Sequence, residues 1–188
     1  TIQTVSDGKP YKATSAYMNT SESGFNNKLL KLAGNTANAS NYTVRYYDET
    51  IKHFKHSETL PEDFVSNSDN TVSMVNSSHP VYIWVDGDTA YYYTAGKGKT
   101  VISSLYKTFI GMKALEDISG VADWNTYKVT SLNETFYFDQ SLANFDPIAS
   151  WDTSNVTSML GMFNGAGYNA TTWNIGALDG WNTGKVTN

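Results

Sequence analysis

One stretch of this chain recurs. From Trp151 to Phe163 it carries a tryptophan, an aspartate, a Thr-Ser-Asn-Val-Thr run and a Met-x-x-Met-Phe ending, and a degenerate copy occupies Trp124 to Phe136. A third begins at Trp181 and continues through Val186. Phe109, Phe136 and Phe163 stand 27 residues apart, and Leu115 and Leu142, Ile118 and Phe145, Val121 and Ile148, Trp124 and Trp151, and Val129 and Val156 keep the same interval. The next unit is longer, with Ile148 and Leu178, Trp151 and Trp181, and Val156 and Val186 each 30 apart. Self-similarity at about 20 to 50 residues marks stacked repeats, in which no unit buries its apolar side until a neighbour covers it. These residues, together with Leu132, Met159 and Ile175, form the expected repeat core.

The Trp-Asp-Thr-Ser-Asn-Val-Thr-Ser-Met-x-x-Met-Phe run at 151–163, the segment Phe138-Asp139-Gln140-Ser141-Leu142, and the segment from Ala166 to Ile175 resemble the BspA-like leucine-rich-repeat bacterial surface proteins. The likeness extends more weakly to a leader, through Leu30 to Asn35, Lys55 to Thr59 and Pro80 to Trp84. It implies an α/β fold with an α+β leader: a leucine-rich-repeat-like right-handed solenoid of short parallel strands and short helices behind an N-terminal capping region. In each coil, Thr153 or Ser154 would cap a short helix at about 155–163, turning Val156, Met159, Leu160 and Phe163 inward, with Gly165 and Gly167 ending it. Segments such as Ile148 to Trp151 would form the stacked parallel strands. The implied work is noncatalytic adhesion at the cell surface, with a host or neighbouring-cell protein or glycan as partner and self-association as a further partner mode. A structural subunit of an extracellular filament or shell is the alternative, and a carbohydrate-active enzyme ranks last.

Composition agrees with a folded surface protein. The 40% apolar content with 14% aromatics supplies a core. Thirteen Lys plus Arg in a chain of net charge −5, with no basic cluster, argue against nucleic acid and anionic membrane as partners. The absence of cysteine excludes disulfides and thiolate chemistry. No apolar run approaches the roughly 20 residues that span a bilayer, so no membrane insertion of this segment is expected. Seven Asn-x-Ser/Thr sequons occur, at Asn19, Asn38, Asn41, Asn76, Asn133, Asn155 and Asn169, but the one at Asn155 belongs to the repeat and needs no glycan to explain it.

Three regions are expected: an extended arm over 1–24, a capping region over 25–98 and repeat coils over 99–188. Asp7-Gly8-Lys9-Pro10 reads as a turn, and Ser21 or Ser23 can cap a short helix that carries Phe25, Leu29, Leu30 and Leu32 and ends at Gly34. Tyr42, Val44 and Tyr46 alternate as in a strand, and Val72 to Val75 suggests another. The strongest local signal is a hairpin over 81–94, where two β-prone runs meet through Asp86-Gly87-Asp88. Its alternation places Tyr82 and Trp84 opposite Val81, Ile83 and Val85. Gly96-Lys97-Gly98-Lys99 reads as a joint; it lacks the spaced first glycine of a phosphate loop.

The candidate ligand-binding residues are Tyr82, Trp84, Tyr91 and Tyr93, because flat rings with a polar handle suit sugar faces and interfaces; the competing reading is a sheet that caps the repeats. No catalytic, cofactor or metal residues are assigned. The Asn125, Asp152 and Asn182 column holds one charge, too few for calcium, and reads as turn capping. Asp86 and Asp88 lack the calcium-loop order. His53 and His56 would share a metal only on a helix. Glu62 with Asp63, and Glu116 and Asp117 with Asp123, are carboxylates without a readable separation.

Overall fold

The computed structural model describes residues 16–35 and 47–188. The turn at Asp7 to Pro10, the strand expected around Tyr42 to Tyr46, and the sequons at Asn38 and Asn41 lie outside these residues.

Strand β1, Tyr17–Met18, leads into one turn of π-helix, Glu22–Asn26, which continues as helix α1, Asn27–Leu32. Ser21 supplies the cap, its Oγ accepting from the Gly24 N–H at 3.3 Å. Gly34 at φ 86° ends the helix, and the Asn35 N–H returns to the Leu30 carbonyl. Strands β2 (His53–His56), β3 (Val81–Asp86) and β4 (Thr89–Thr94) form a mixed sheet in the order β2-β4-β3, with β2 parallel and β3 antiparallel to β4. A second, parallel sheet runs β1-β5-β6, where β5 is Thr100–Ile102 and β6 is Trp124–Asn125. Around Val72 the chain makes only isolated bridges, Met18 to Ser73 and Thr71 to Tyr82.

The expected leucine-rich-repeat-like right-handed solenoid of short parallel strands and short helices is corrected here. The described residues form a mixed α/β structure with two three-stranded sheets and a single α-helix, and neither expected wall of the repeat is present. Where strands were expected near Val121, Ile148 and Leu178 there are 3-10 turns, Ser119–Asp123, Asp146–Ile148 and Gly176–Gly180. The stretch 155–163 is a succession of turns without helix.

The reason lies in the backbone. Positive φ recurs at Lys107, Glu134 and Gly161, and again at Gly111, Phe138 and Gly165, so helical geometry is broken at the same places in each unit. Local bonds close short turns, such as the four-residue turns from Thr135 N–H to Leu132 O and from Met162 N–H to Met159 O. Alternate N–H groups instead point to the next unit: Lys107, Phe109 and Gly111 donate to Asn133, Thr135 and Tyr137. Leu132, Glu134, Phe136 and Phe138 likewise donate to Ser158, Leu160, Met162 and Asn164. Leu160 therefore faces solvent at 53% exposed, and Met162 takes the inward place at 2%.

Aromatic side chains join the units. Phe109 stacks on Phe136 at 5.7 Å between ring centroids, and Phe136 on Phe163 at 5.9 Å. Trp124, Trp151 and Trp181 form a second ladder at 6.3 Å per step. Leu115, Ile118, Val121, Val129, Leu132, Leu142, Phe145, Ile148 and Val156 are buried with them; Met159, Phe163, Leu178, Trp181 and Val186 pack partly buried against that core, and Ile175 is half-buried. The same core continues into the leader, where Phe25 and Phe54 meet Phe109 and Trp124 edge to face.

Candidate functional site

The paired strands β3 and β4 of the hairpin are the base of the candidate site. Its loop is Gly87-Asp88, and Gly87 at φ 58° supplies the left-handed geometry that a two-residue connection needs. Val81 pairs with Thr94, Ile83 with Tyr92 and Val85 with Ala90, which sets those residues on the core face. Tyr82 opposite Tyr93 and Trp84 opposite Tyr91 then occupy the outer face. The four predicted aromatics are thus neighbours on one surface, each half-buried. Trp84 and Tyr91 stack at 5.3 Å with 16° between their planes.

Tyr92 belongs to the inner face. It is fully buried, stacked between Phe54 at 5.7 Å and His56 at 4.5 Å. Burial, helped by the charge of Asp123, pushes its phenol above the ordinary tyrosine range, so it is neutral at any physiological pH.

One ring of the outer face is not contributed by the hairpin. Phe64, from the turn closed by the Phe64 N–H on Pro61 O, lies against Tyr82 at 5.2 Å and Trp84 at 5.8 Å. It covers part of the surface that the strand alternation left open. An open groove beside it is lined by Leu32, Pro61, Phe64, Val65, Trp84 and Val85. The Phe64-Val65 pair after Pro-Glu-Asp has no periodicity to announce a contact 18 to 20 residues away.

The other candidates separate from this face. His53 and His56 lie on a strand, where positions three apart point to opposite sides. His53 Nδ1 is 3.4 Å from Asp117, and His56 Nδ1 is 3.0 Å from Asp123, while His79 pairs with Ser78. Among the described residues no three His, Asp or Glu side chains converge on a metal site. Burial alone would lift the pKa of Asp117, but the Ser119 N–H and hydroxyl, His53 and Lys55 outweigh it and hold the carboxyl below the ordinary range. Asn125, Asp152 and Asn182 each accept from the N–H two residues on, at Tyr127, Ser154 and Gly184. Their oxygens close turns.

Residues 103–188 match the family model described as Mycoplasma protein of unknown function, DUF285. Comparison with curated proteins finds no match. Comparison with solved structures finds none either.

Proposed function

We propose that the chain is a noncatalytic module of an extracellular surface protein, mediating adhesion by binding a protein or glycan of a host or neighbouring cell. The observation that carries this reading is the outward pair of Trp84 and Tyr91, stacked at 5.3 Å and flanked by Tyr82 and Tyr93 on the hairpin. Such rings offer large contact area at little entropic cost and keep polar groups at their rims. The match of residues 103–188 supports it, since that family is associated with BspA-like surface repeat proteins. A glycan and matrix-protein array probed with the parent chain and with Trp84→Ala tests the reading. Retention on one ligand class, lost in the variant, is expected; binding indifferent to the change removes its support.

A structural subunit of a filament or shell is the second reading. Light scattering across a concentration series separates the two, because a subunit assembles while a binding module stays small.

A further inference from the structure

The cleft at the far end of the hairpin lies next to the aromatic face and has a different character. It is lined by His56, Glu58, Tyr93, Thr94, Lys97, Lys99 and Asp123, with the backbone of Ala95, Gly96 and Gly98 between them. Three of its groups are charged and unspent: Lys97, Lys99 and Glu58 make no ion pair with any described residue. Asp123 engages His56 through Oδ2. The His56 ring is clamped flat on Tyr92 at 4.5 Å, so the polar floor of the cleft rests on the buried core. Gly98 at φ 84° turns the backbone between the two lysines, and the space where a β-carbon would project there is open.

Two cations, two carboxylates and an aromatic ring within one cleft narrow the chemistry. A polyanion such as nucleic acid would meet Glu58 and Asp123 as repulsive neighbours. A plain neutral sugar would leave both ammonium groups without a partner. A sugar bearing one carboxylate satisfies all of them: its ring lies on Tyr93, its hydroxyls donate to Glu58 and Asp123, and its anion meets Lys97 and Lys99.

We propose that this cleft binds an acidic saccharide, recognising a uronate-type carboxylate through Lys97 and Lys99 and the adjoining ring through Tyr93. The proposal rests on the binding reading above and assigns its ligand class. The probes are a hyaluronan-derived tetrasaccharide, which alternates uronate with N-acetylhexosamine, and chitotetraose, which carries the same hexosamine without the acid. Titration calorimetry at low and at physiological salt is expected to show the acidic probe held at least tenfold more tightly than the neutral one. The double substitution Lys97→Gln with Lys99→Gln, both exposed, is expected to abolish that preference. Tyr93→Ala is expected to weaken both probes, with far-UV circular dichroism reporting that each variant is folded.

An acidic probe bound no better than chitotetraose, one not bound at all, or a preference that survives the double lysine change would each overturn the proposal. The parent reading fails separately. Array binding lost in Trp84→Ala but untouched by the lysine changes keeps the adhesive face and removes the acidic cleft. Lysine-dependent binding of the tetrasaccharide by a chain whose array binding ignores Trp84→Ala does the reverse.

Discussion

Two aspartates respond to pH in opposite directions. Asp139 is fully buried; its Oδ1 accepts from the Met112 N–H at 3.0 Å, while Oδ2 has no partner among the described residues. Burial pushes its carboxyl well above the ordinary range, against the lowering effect of that single N–H. Its contribution to stability is intact below the ordinary aspartate pKa of about 3.9 and is lost as pH rises towards the raised folded value. Asp139→Asn keeps one acceptor and removes the titration. It is therefore expected to raise Tm near pH 7 by about 2–4 °C, corresponding to roughly 1 kcal/mol in a chain of this size, and to flatten the pH dependence seen by calorimetry. A variant less stable than the parent at pH 7 would contradict this. Asp152 is exposed, and the Ser154 hydroxyl and N–H hold its carboxyl below the ordinary range. Its contribution is present at neutral pH and lost as pH falls through that lowered value. The role of Asp152 as a turn former was legible in the sequence. The burial of Asp139 was not, because Phe138-Asp139-Gln140-Ser141 has the composition of a surface turn.

At the scale of the element, the recurring positive φ explains why the repeat forms turns in place of helices. Gly161 has φ 61° and only ordinary contact, 3.4 Å, where a β-carbon would meet Glu134. Gly161→Ala is thus expected to lose about 1–2 kcal/mol from the left-handed backbone alone, measured by urea unfolding. Glu134 and Lys107 hold the same backbone geometry with a side chain. Lys107 is 2% exposed, with its ammonium 3.8 Å from Glu22 and 3.6 Å from Glu134, so tertiary ion pairs accompany the strained residue. Gly120 serves another purpose: a β-carbon there would come within 2.8 Å of the Lys55 backbone, which cannot yield, so the first 3-10 turn can lie on β2 only with glycine. Gly120→Ala is expected to lower Tm and to loosen β2, seen as faster amide exchange at Phe54 and His56. The hairpin was readable from Asp-Gly and alternation because its pairing is local. The 3-10 turns and the face covered by Phe64 depend on distant contacts, which no local pattern records.

For the whole molecule, one aromatic core crosses from the leader into the repeats. Phe136 touches Phe109, Phe145, Trp151 and Phe163, and Phe136→Ala is expected to cost about 3–5 kcal/mol in denaturant unfolding. Val186→Ala, in a half-buried position, should cost clearly less. Since Phe25 and Phe54 pack on Phe109 and Trp124, a fragment holding only residues 99–188 is expected to lack a cooperative transition and a native near-UV spectrum. A sharp melt from that fragment would show that the repeats need no leader. The sequence by itself determined which side chains recur and which alternate, because spacing along the chain is a one-dimensional property. It placed Phe109, Phe136 and Phe163 in one column and Tyr82 and Trp84 on one face. Only the tertiary structure decided what backbone carries those columns and what lies across that face. The choice between a helix and a ladder of turns depends on whether each N–H finds its acceptor within its own unit or in the next, and that partner exists only once the units have come together.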